Sequence, residues 1–315
     1  MKNILLLLLL FNLSFALAAK NDAVVVKLQG KAELFVPPGK SPKAKGKVKF
    51  EGKTFDTEKM RLGSKVYSGS YIRTGGNSKV KVVYKNGDQM MVGPGTIYQI
   101  KGVKLSNGKT TSTMKLMYGT VRAVIDKDGP RNNMKIKTKT AAMGVRGTDF
   151  KIYQGGAKTK TKLVVLRGEV EVKVKKVPKK EIIKAGTTME TTQKNDITNK
   201  PEVIVKPVTK VDLISIQKET KIEKSEEEVS QAVKVEIEKA QKKAAEVTVK
   251  DIKRYNANSV AKLDQSKIDN PEALNSVAVK SLIKDAPVGR KGKIDLDTFN
   301  DLQSNAYDKY FDLDE

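Results

Sequence analysis

Residues 19–192 predict a mainly β fold of short strands, and residues 208–315 a charged α-helical region that follows it. Three observations carry this expectation. Apolar residues alternate with lysine or glutamate through short runs. Asn-Gly, Gly and Pro break those runs at short, even intervals. Beyond Pro207 the apolar spacing changes from two to three, four and seven. Alternation marks half-buried strands and the wider spacing marks a helix face. Closely spaced strands of this kind build a sandwich, a barrel or a stacked solenoid.

The chain opens on Met1-Lys2-Asn3, an apolar run from Ile4 to Leu10 and on through Phe15, and then Ala16-Leu17-Ala18. Basic start, apolar middle and A-x-A end are the parts of a secretory signal peptide, assigned to residues 1–18. A bilayer span needs about 20 apolar residues, and this run is shorter and interrupted by Asn12 and Ser14. The expectation is export across the inner membrane, cleavage, and a mature chain without a membrane span in the periplasm or outside the cell.

Pro37 to Gly46 offers Pro, Gly and Lys with nothing to bury and reads as an exposed loop. Val80, Val82 and Tyr84 alternate with Lys79, Lys81 and Lys85, although Val83 breaks the polar face. Asn86-Gly87 supplies the positive φ angles of a tight hairpin, and Asn107-Gly108 repeats the device. Leu163-Val164-Val165-Leu166 is apolar throughout and reads as a strand covered on both faces. Val170, Val172 and Val174 return to alternation, with Glu169, Glu171, Lys173 and Lys175 outward. Residues 193–207 read as a polar, proline-bounded linker. Past it, Ile222, Val229, Val233, Ile237, Ala240, Ala244 and Val247 line one face of a helix. That thin, alanine-rich seam fits a coiled-coil strand, a helix laid on the β domain, or a solvated single helix. Shorter helices are expected over 251–315, one starting at Asn270-Pro271-Glu272, with the acidic end Asp308–Glu315 folding back or fraying.

Composition narrows the chemistry. The chain has 61 Lys and Arg against 36 Asp and Glu, for a net charge of +25, and it has no Cys, His or Trp. Residues 19–200 hold net +26 and residues 201–315 net −2. A field of that sign favours anionic polymers or lipid headgroups. Spread over many strands, the same lysines also keep sheet edges soluble. Without histidine there is no Ser-His-Asp or Cys-His triad and none of the usual zinc sites. Without cysteine there is no thiol nucleophile, iron–sulfur ligation or disulfide framework. Glu169 and Glu171 read as charged positions on an exposed strand face rather than a catalytic carboxylate pair, which needs convergent geometry. The Gly292-Lys293-Ile294 stretch echoes part of an EF-hand loop, but Pro287, Gly289, Lys291 and Thr298 fall at ligand positions and cannot supply carboxylates. No cofactor or metal is therefore expected.

Ala141-Ala142-Met143-Gly144-Val145-Arg146-Gly147-Thr148-Asp149-Phe150 is the most informative segment. An anion-binding loop with Arg146 as the fork is one reading. A tight strand corner, with Arg146 paired locally to Asp149 and with Phe150 and Ile152 in the core, is the other and the preferred one. Tyr67, Tyr71, Tyr84, Tyr98, Tyr118 and Tyr153 stand inside alternating strands. That placement favours packing over base stacking, and secretion also argues against nucleic acid.

The order of segments around this corner is more specific than any one of them. It runs Gly69-Ser70-Tyr71-Ile72-Arg73-Thr74-Gly75, Ser78 to Tyr84, Asn86-Gly87-Asp88, Gly93-Pro94-Gly95-Thr96 and Met117-Tyr118-Gly119-Thr120-Val121. The Val-Arg-Gly-Thr-x-Phe core follows, then Arg167-Gly168-Glu169-Val170-Glu171-Val172 and Lys184-Ala185-Gly186-Thr187-Thr188. Over residues 62–192 this order resembles the ferric-citrate-regulator (FecR) domain family of bacterial envelope proteins. The resemblance implies a β-solenoid-like stack of short strands and a binding or sensing module rather than an enzyme. Its motif residues here are Gly69, Thr74, Gly87, Gly119, Arg146, Gly147, Thr148, Phe150, Gly168 and Gly186, with structural roles implied. Signalling members carry a cytoplasmic anti-sigma segment and a transmembrane helix ahead of the domain. A signal peptide in that place argues against direct control of a sigma factor. The expected function is a non-enzymatic envelope protein-interaction, sensing or scaffold module. The alternative is a basic binder of anionic envelope polymers such as peptidoglycan, lipopolysaccharide or another acidic glycan.

Overall fold

The computed structural model describes residues 21–104, 110–131, 133–155, 160–193, 201–220, 222 and 228–255. In chain order the strands are β1 (Asn21–Gln29), β2 (Ala32–Val36), β3 (Gly46–Phe50), β4 (Lys53–Lys59), β5 (Lys65–Tyr67) and β6 (Tyr71–Thr74). Next come β7 (Lys79–Tyr84), β8 (Gln89–Val92), β9 (Ile97–Lys104), β10 (Thr110–Val124), β11 (Met134–Lys137) and β12 (Ala141–Val145). Then follow β13 (Asp149–Gln154), β14 (Thr161–Arg167), β15 (Glu169–Val174), β16 (Lys180–Lys184), β17 (Thr187–Gln193) and β18 (Pro201–Pro207). Two helices complete the described chain, α1 (Lys210–Thr220) and α2 (Gln231–Tyr255).

The fold is mainly β, as expected, with a helical region after it. All eighteen strands belong to one hydrogen-bonded sheet that does not close. The long β10 divides it in two. Residues 119–124 of β10 lie between β8 and β13 in a first half ordered β5-β1-β7-β8-β10-β13-β14-β17-β18. Residues 110–118 lie between β9 and β11 in a second half ordered β3-β4-β2-β6-β9-β10-β11-β12-β15-β16. The change of course comes at Gly119, whose φ is +92° and whose Cβ would lie 2.3 Å from Thr96 Oγ1. A left-handed residue with no room for a side chain is what lets one strand serve both halves. Every pairing is antiparallel except β10 with β11. A stacked solenoid is thus not confirmed.

Alternate residues from both halves meet in one apolar core. Val80, Val82 and Tyr84 of β7 enter it with Leu163 and Val165 of β14, Val170, Val172 and Val174 of β15, and Phe150 and Ile152 of β13. The two halves therefore face each other across the core. The outer face of the first half is apolar too, and the helices cover it. Val164 and Leu166 pack under Leu213 and Ile216 of α1, which accounts for the strand that is apolar on both faces. Val24, Val26 and Val83 pack under Ile237 and Ala244 of α2, while Met91 and Val124 pack under Val247. From Val233 onward the seam read from the sequence is thus a helix laid on the β domain, whereas Ile222 and Val229 precede α2. Thr209 and Asp212 cap α1 reciprocally, Thr209 Oγ1 accepting from Asp212 N at 3.2 Å and Asp212 Oδ2 accepting from Thr209 N at 3.0 Å. Over the second half, Phe35, Phe55, Tyr71 and Ile97 form a smaller cluster. The Phe50 and Phe55 rings meet Tyr71 edge-on at 5.0 and 5.3 Å.

Several expectations meet differences. Residues 201–207, read within the linker, form β18, paired along its length with β17. The β-branched Val203-Ile204-Val205 supplies the strand, and the flanking prolines bound it. Lys81, read as an outward lysine, is buried, as is Val83 beside it, because the outer face of β7 lies inside a covered region. The loop over 37–46 is tied down by Gly39 N to Asp56 Oδ2 at 2.9 Å and by buried Ser41 to Glu58. The signal peptide over 1–18, the Asn107-Gly108 turn, and the expectations for 256–315 lie outside the described residues.

Candidate functional site

The Val-Arg-Gly-Thr-Asp-Phe corner joins β12 to β13. Gly147 turns the chain at φ +57°, and a Cβ there would lie 2.2 Å from Lys127 Cβ. Thr148 is buried, and its carbonyl accepts from Ile125 N at 3.0 Å. Asp149 is fully buried and accepts from Arg122 Nε at 3.0 Å and Nη2 at 2.8 Å. Arg167 Nη2 stands 2.7 Å from the same carboxylate, as an ion pair rather than an aligned hydrogen bond. Arg167 Nε then donates to Asp251 Oδ2 of α2 at 2.5 Å. Burial pushes the Asp149 carboxyl up, but the Arg122 and Arg167 guanidiniums outweigh it and hold the group below its ordinary value. For Asp251 burial wins, and its pKa is raised despite Arg167. The expected Arg146–Asp149 pair is therefore overturned. Arg146 is exposed, and Asp149 is held by arginines from β10 and β14.

The Asn86-Gly87-Asp88 turn sits under the same helix. Gly87 has φ +92°, and a Cβ would lie 2.6 Å from both Lys243 O and Val247 Cγ2. Its glycine is required twice, by the turn and by the closeness of the α2 backbone. Gln89 Nε2 donates to Ala244 O at 3.1 Å and to Thr248 Oγ1 at 2.8 Å. Asp88 Oδ1 accepts from Asp126 N at 2.9 Å, and Asp88 Oδ2 pairs with Arg131 at 3.2 Å. The Arg131 guanidinium lies over the Tyr84 ring, 3.8 Å from its centroid. At the helix end, Lys250 and Arg254 reach Asp128 at 2.8 and 3.0 Å. The structure thus brings two sequence motifs together at the seat of α2.

Gly69, Thr74 and Gly186 lie apart from that seat. Thr74 is buried, donates to Gly93 O at 2.7 Å and accepts from Thr96 N at 2.9 Å. Gly69 and Gly186 occupy turns with positive φ. Gly168 lies against Thr148, where a Cβ would come within 2.6 Å of Cγ2. Phe150 is in the core. Sequence reasoning missed Arg122, Arg167 and Asp251. The available signal was an arginine among apolar residues in Val121-Arg122-Ala123-Val124 and again in Leu166-Arg167.

Away from the Phe35, Phe55, Tyr71 and Ile97 cluster, the outer face of the second half is open. Among the described residues no helix lies on it, and lysines form a row across its strands. Lys115 pairs with Lys137, Lys137 with Ala142, Ala142 with Lys173 and Lys173 with Lys180. Like charges directly opposite one another are destabilising. The row is relieved only in part, by Glu51 at Lys115 and by Glu171 at Lys180. Glu169, Glu171, Lys173 and Lys175 are exposed here, as the alternation predicts. Beside the row lies a shallow depression of about 430 Å³, lined by Ala142, Lys173, Val174, Lys175, Lys176, Val177 and Pro178. Among the described residues no three acidic side chains converge as a metal site would require.

Residues 70–171 match the model of the FecR protein family. A FecR domain is matched over this segment alone, about a third of the chain. Arg122, Asp149 and Arg167 fall inside the matched segment, whereas Gly69, Gly186, Asp251 and all of α2 lie outside it. No curated protein matches the chain. Two crystal structures of a candidate anti-sigma factor from Parabacteroides distasonis ATCC 8503 are similar to it at 14% and 15% identity, with TM-scores of 0.36 and 0.37. They cover 44% and 46% of this chain, which spans 59% and 64% of theirs. A cell surface anchoring domain is similar at 18% identity over 25% of this chain and 82% of its own, with a TM-score of 0.19. Likenesses this partial carry no functional argument. No helix among the described residues is long and apolar enough to cross a membrane.

Proposed function

We propose that this chain is a non-enzymatic FecR-domain module, exported across the inner membrane, that works in the cell envelope by binding another protein as a sensing or scaffold element. In this reading residues 1–18 are the signal peptide, residues 19–192 form the FecR-like domain, and the ten motif residues serve the fold. The observation that carries it is how the buried charges are used. Asp149, Arg122, Arg167 and Asp251 neutralise one another in holding α2, and Asp88 is taken by Arg131. Their burial and mutual pairing hold the architecture together rather than offering these groups to a substrate. The absence of His and Cys from the sequence supports the same reading.

The lysine row favours a second reading, a binder of anionic envelope polymer. Salt separates the two. Contacts made by exposed charges weaken steeply as the Debye length falls from about 10 Å at 0.1 M to about 3 Å at 1 M salt, whereas a protein interface with an apolar centre changes less. The test immobilises the purified chain and applies envelope protein extract, peptidoglycan and lipopolysaccharide separately, at low and high salt. Specific protein retention that survives salt, and survives Lys137→Glu with Lys173→Glu, supports the first reading. Salt-sensitive polymer retention lost in that double variant supports the second.

A further inference from the structure

Strand β18 ends the first half of the sheet, and among the described residues no strand pairs with its outer side. Its sequence is Pro201-Glu202-Val203-Ile204-Val205-Lys206-Pro207. Read backwards it is the same string with the acid and base exchanged. Two copies laid antiparallel about Ile204 would therefore set Pro opposite Pro, Glu202 opposite Lys206, Val203 opposite Val205, and Ile204 opposite itself. We propose that β18 is a self-complementary edge that pairs two copies of this chain into a two-fold dimer.

The direction of the backbone groups fits. Val208 N donates to Gly186 O at 2.8 Å, on the β17 side, and β18 pairs with β17 without a register shift. Backbone groups alternate sides along a strand. Even-numbered residues therefore bond to β17, and the N–H and C=O groups of Val203 and Val205 point away from it. Pro201 and Pro207 also sit at outward positions, where proline is tolerated because it has no N–H to give. The outward donors and acceptors at Val203 and Val205 match their symmetry mates and would form about four inter-chain hydrogen bonds, two for each hydrogen-bonded pair. The prolines then stop the ladder at both ends.

The side chains fit as well. Ile204 and Val205 are 43% and 48% exposed, on opposite faces of the strand. Val203 already packs against the main core, and Val205 shares its face. Pairing would lay each Val205 beside the partner copy's Val203 and extend the apolar face across the seam. Solvent-exposed sheet edges are usually blunted by charged residues, proline, bulges or a covering element. Here the centre is Val-Ile-Val, and the charged and proline residues stand outside it. An isologous contact of this kind consumes its own edge, so it closes as a dimer and does not propagate.

The test is the mass of the purified chain by sedimentation and light scattering, with three sets of variants. The expected result is twice the chain mass. Val205→Pro removes an outward N–H in each copy and leaves the β17 ladder intact. It should weaken the dimer roughly ten- to hundred-fold with an unchanged circular dichroism spectrum. Ile204→Lys, which sets two like charges opposite each other at the two-fold and leaves Lys206 on Glu190 at 3.3 Å, should dissociate it. Because the chain has no cysteine, Ile204→Cys should cross-link to its own copy on oxidation. Opposed Cα atoms of a non-hydrogen-bonded pair lie about 4.5 Å apart, within disulfide reach. Ile182→Cys, 58% exposed on β16, should not cross-link. A monomer at 100 µM (a concentration of the assay, about 10⁻⁴ M) would overturn the proposal. So would a dimer that survives Val205→Pro and fails to cross-link through Ile204→Cys.

Discussion

Changing Asp149 to Asn is the most direct trial of the buried charge network. The substitution keeps size and shape and removes one negative charge from a site with no solvent exposure. Arg167 keeps Asp251 as a partner at 2.5 Å. Arg122, 1% exposed, loses its bidentate carboxylate. Stranding a buried charge in this way costs about 3–5 kcal/mol. For a folded unit of this size, that corresponds to a fall of about 6–20 °C in Tm. Urea and thermal unfolding followed by circular dichroism measure it. Arg146→Ala, two residues into the same motif and exposed, should stay within about 0.5 kcal/mol of the wild type. Adding Arg122→Met to Asp149→Asn should recover most of the loss, because the stranded cation goes with it. An Asp149→Asn protein within about 1 kcal/mol of wild type would refute the assigned pairing, as would an Arg146→Ala protein that falls equally far.

Gly87→Ala and Gly186→Ala both place a side chain at positive φ, a strain of about 1–3 kcal/mol. Only Gly87 also meets the α2 backbone, whereas Gly186 faces open space. Faster hydrogen exchange in α2 is expected for Gly87→Ala alone. Acid should weaken the fold in a defined window. Burial raises the Glu190 carboxyl, but Lys160, Lys162 and Lys206 lower it to about 2 from an ordinary 4.5. A carboxylate with a depressed folded pKa stabilises above its unfolded value and loses that contribution as pH falls through the folded one. Stability should therefore drop between pH 4.5 and about 2, and the slope of urea-unfolding free energy against pH should flatten there in Glu190→Gln.

Much of this fold is legible locally, because burial on one face writes a period of two into a strand. The exceptions to that period were the informative positions. Val83 breaks the polar face of β7, and Val164 and Leu166 make β14 apolar on both faces. Each marks where a helix covers the sheet. The three-four-seven spacing of Val233, Ile237, Ala240, Ala244 and Val247 gave the matching face of α2, but three arrangements of that helix shared the same pattern. Asp149 illustrates what stays hidden. Its nearest arginine in sequence is Arg146, yet its partners come from residues 122 and 167. Nothing local encodes a pairing that strand order creates. β18 failed to register because prolines and charges frame three β-branched residues, and composition over the whole stretch resembles a linker.

The segment that carries the family's signature is not a unit that can be excised. β1 lies ahead of residues 70–171, yet it pairs with β5 on one side and β7 on the other. α2 lies well beyond them, yet it roofs Val24, Val26, Val83, Met91 and Val124. A fragment trimmed to the matched residues would lose β1 to β5 and β16 to β18, bare Val83, Met91 and Val124 to water, and deprive Arg167 of Asp251. Recombinant work on this chain, and any transplant of its recognition surface to another scaffold, should keep the boundaries of the packing, from the first residue of β1 to the last turn of α2.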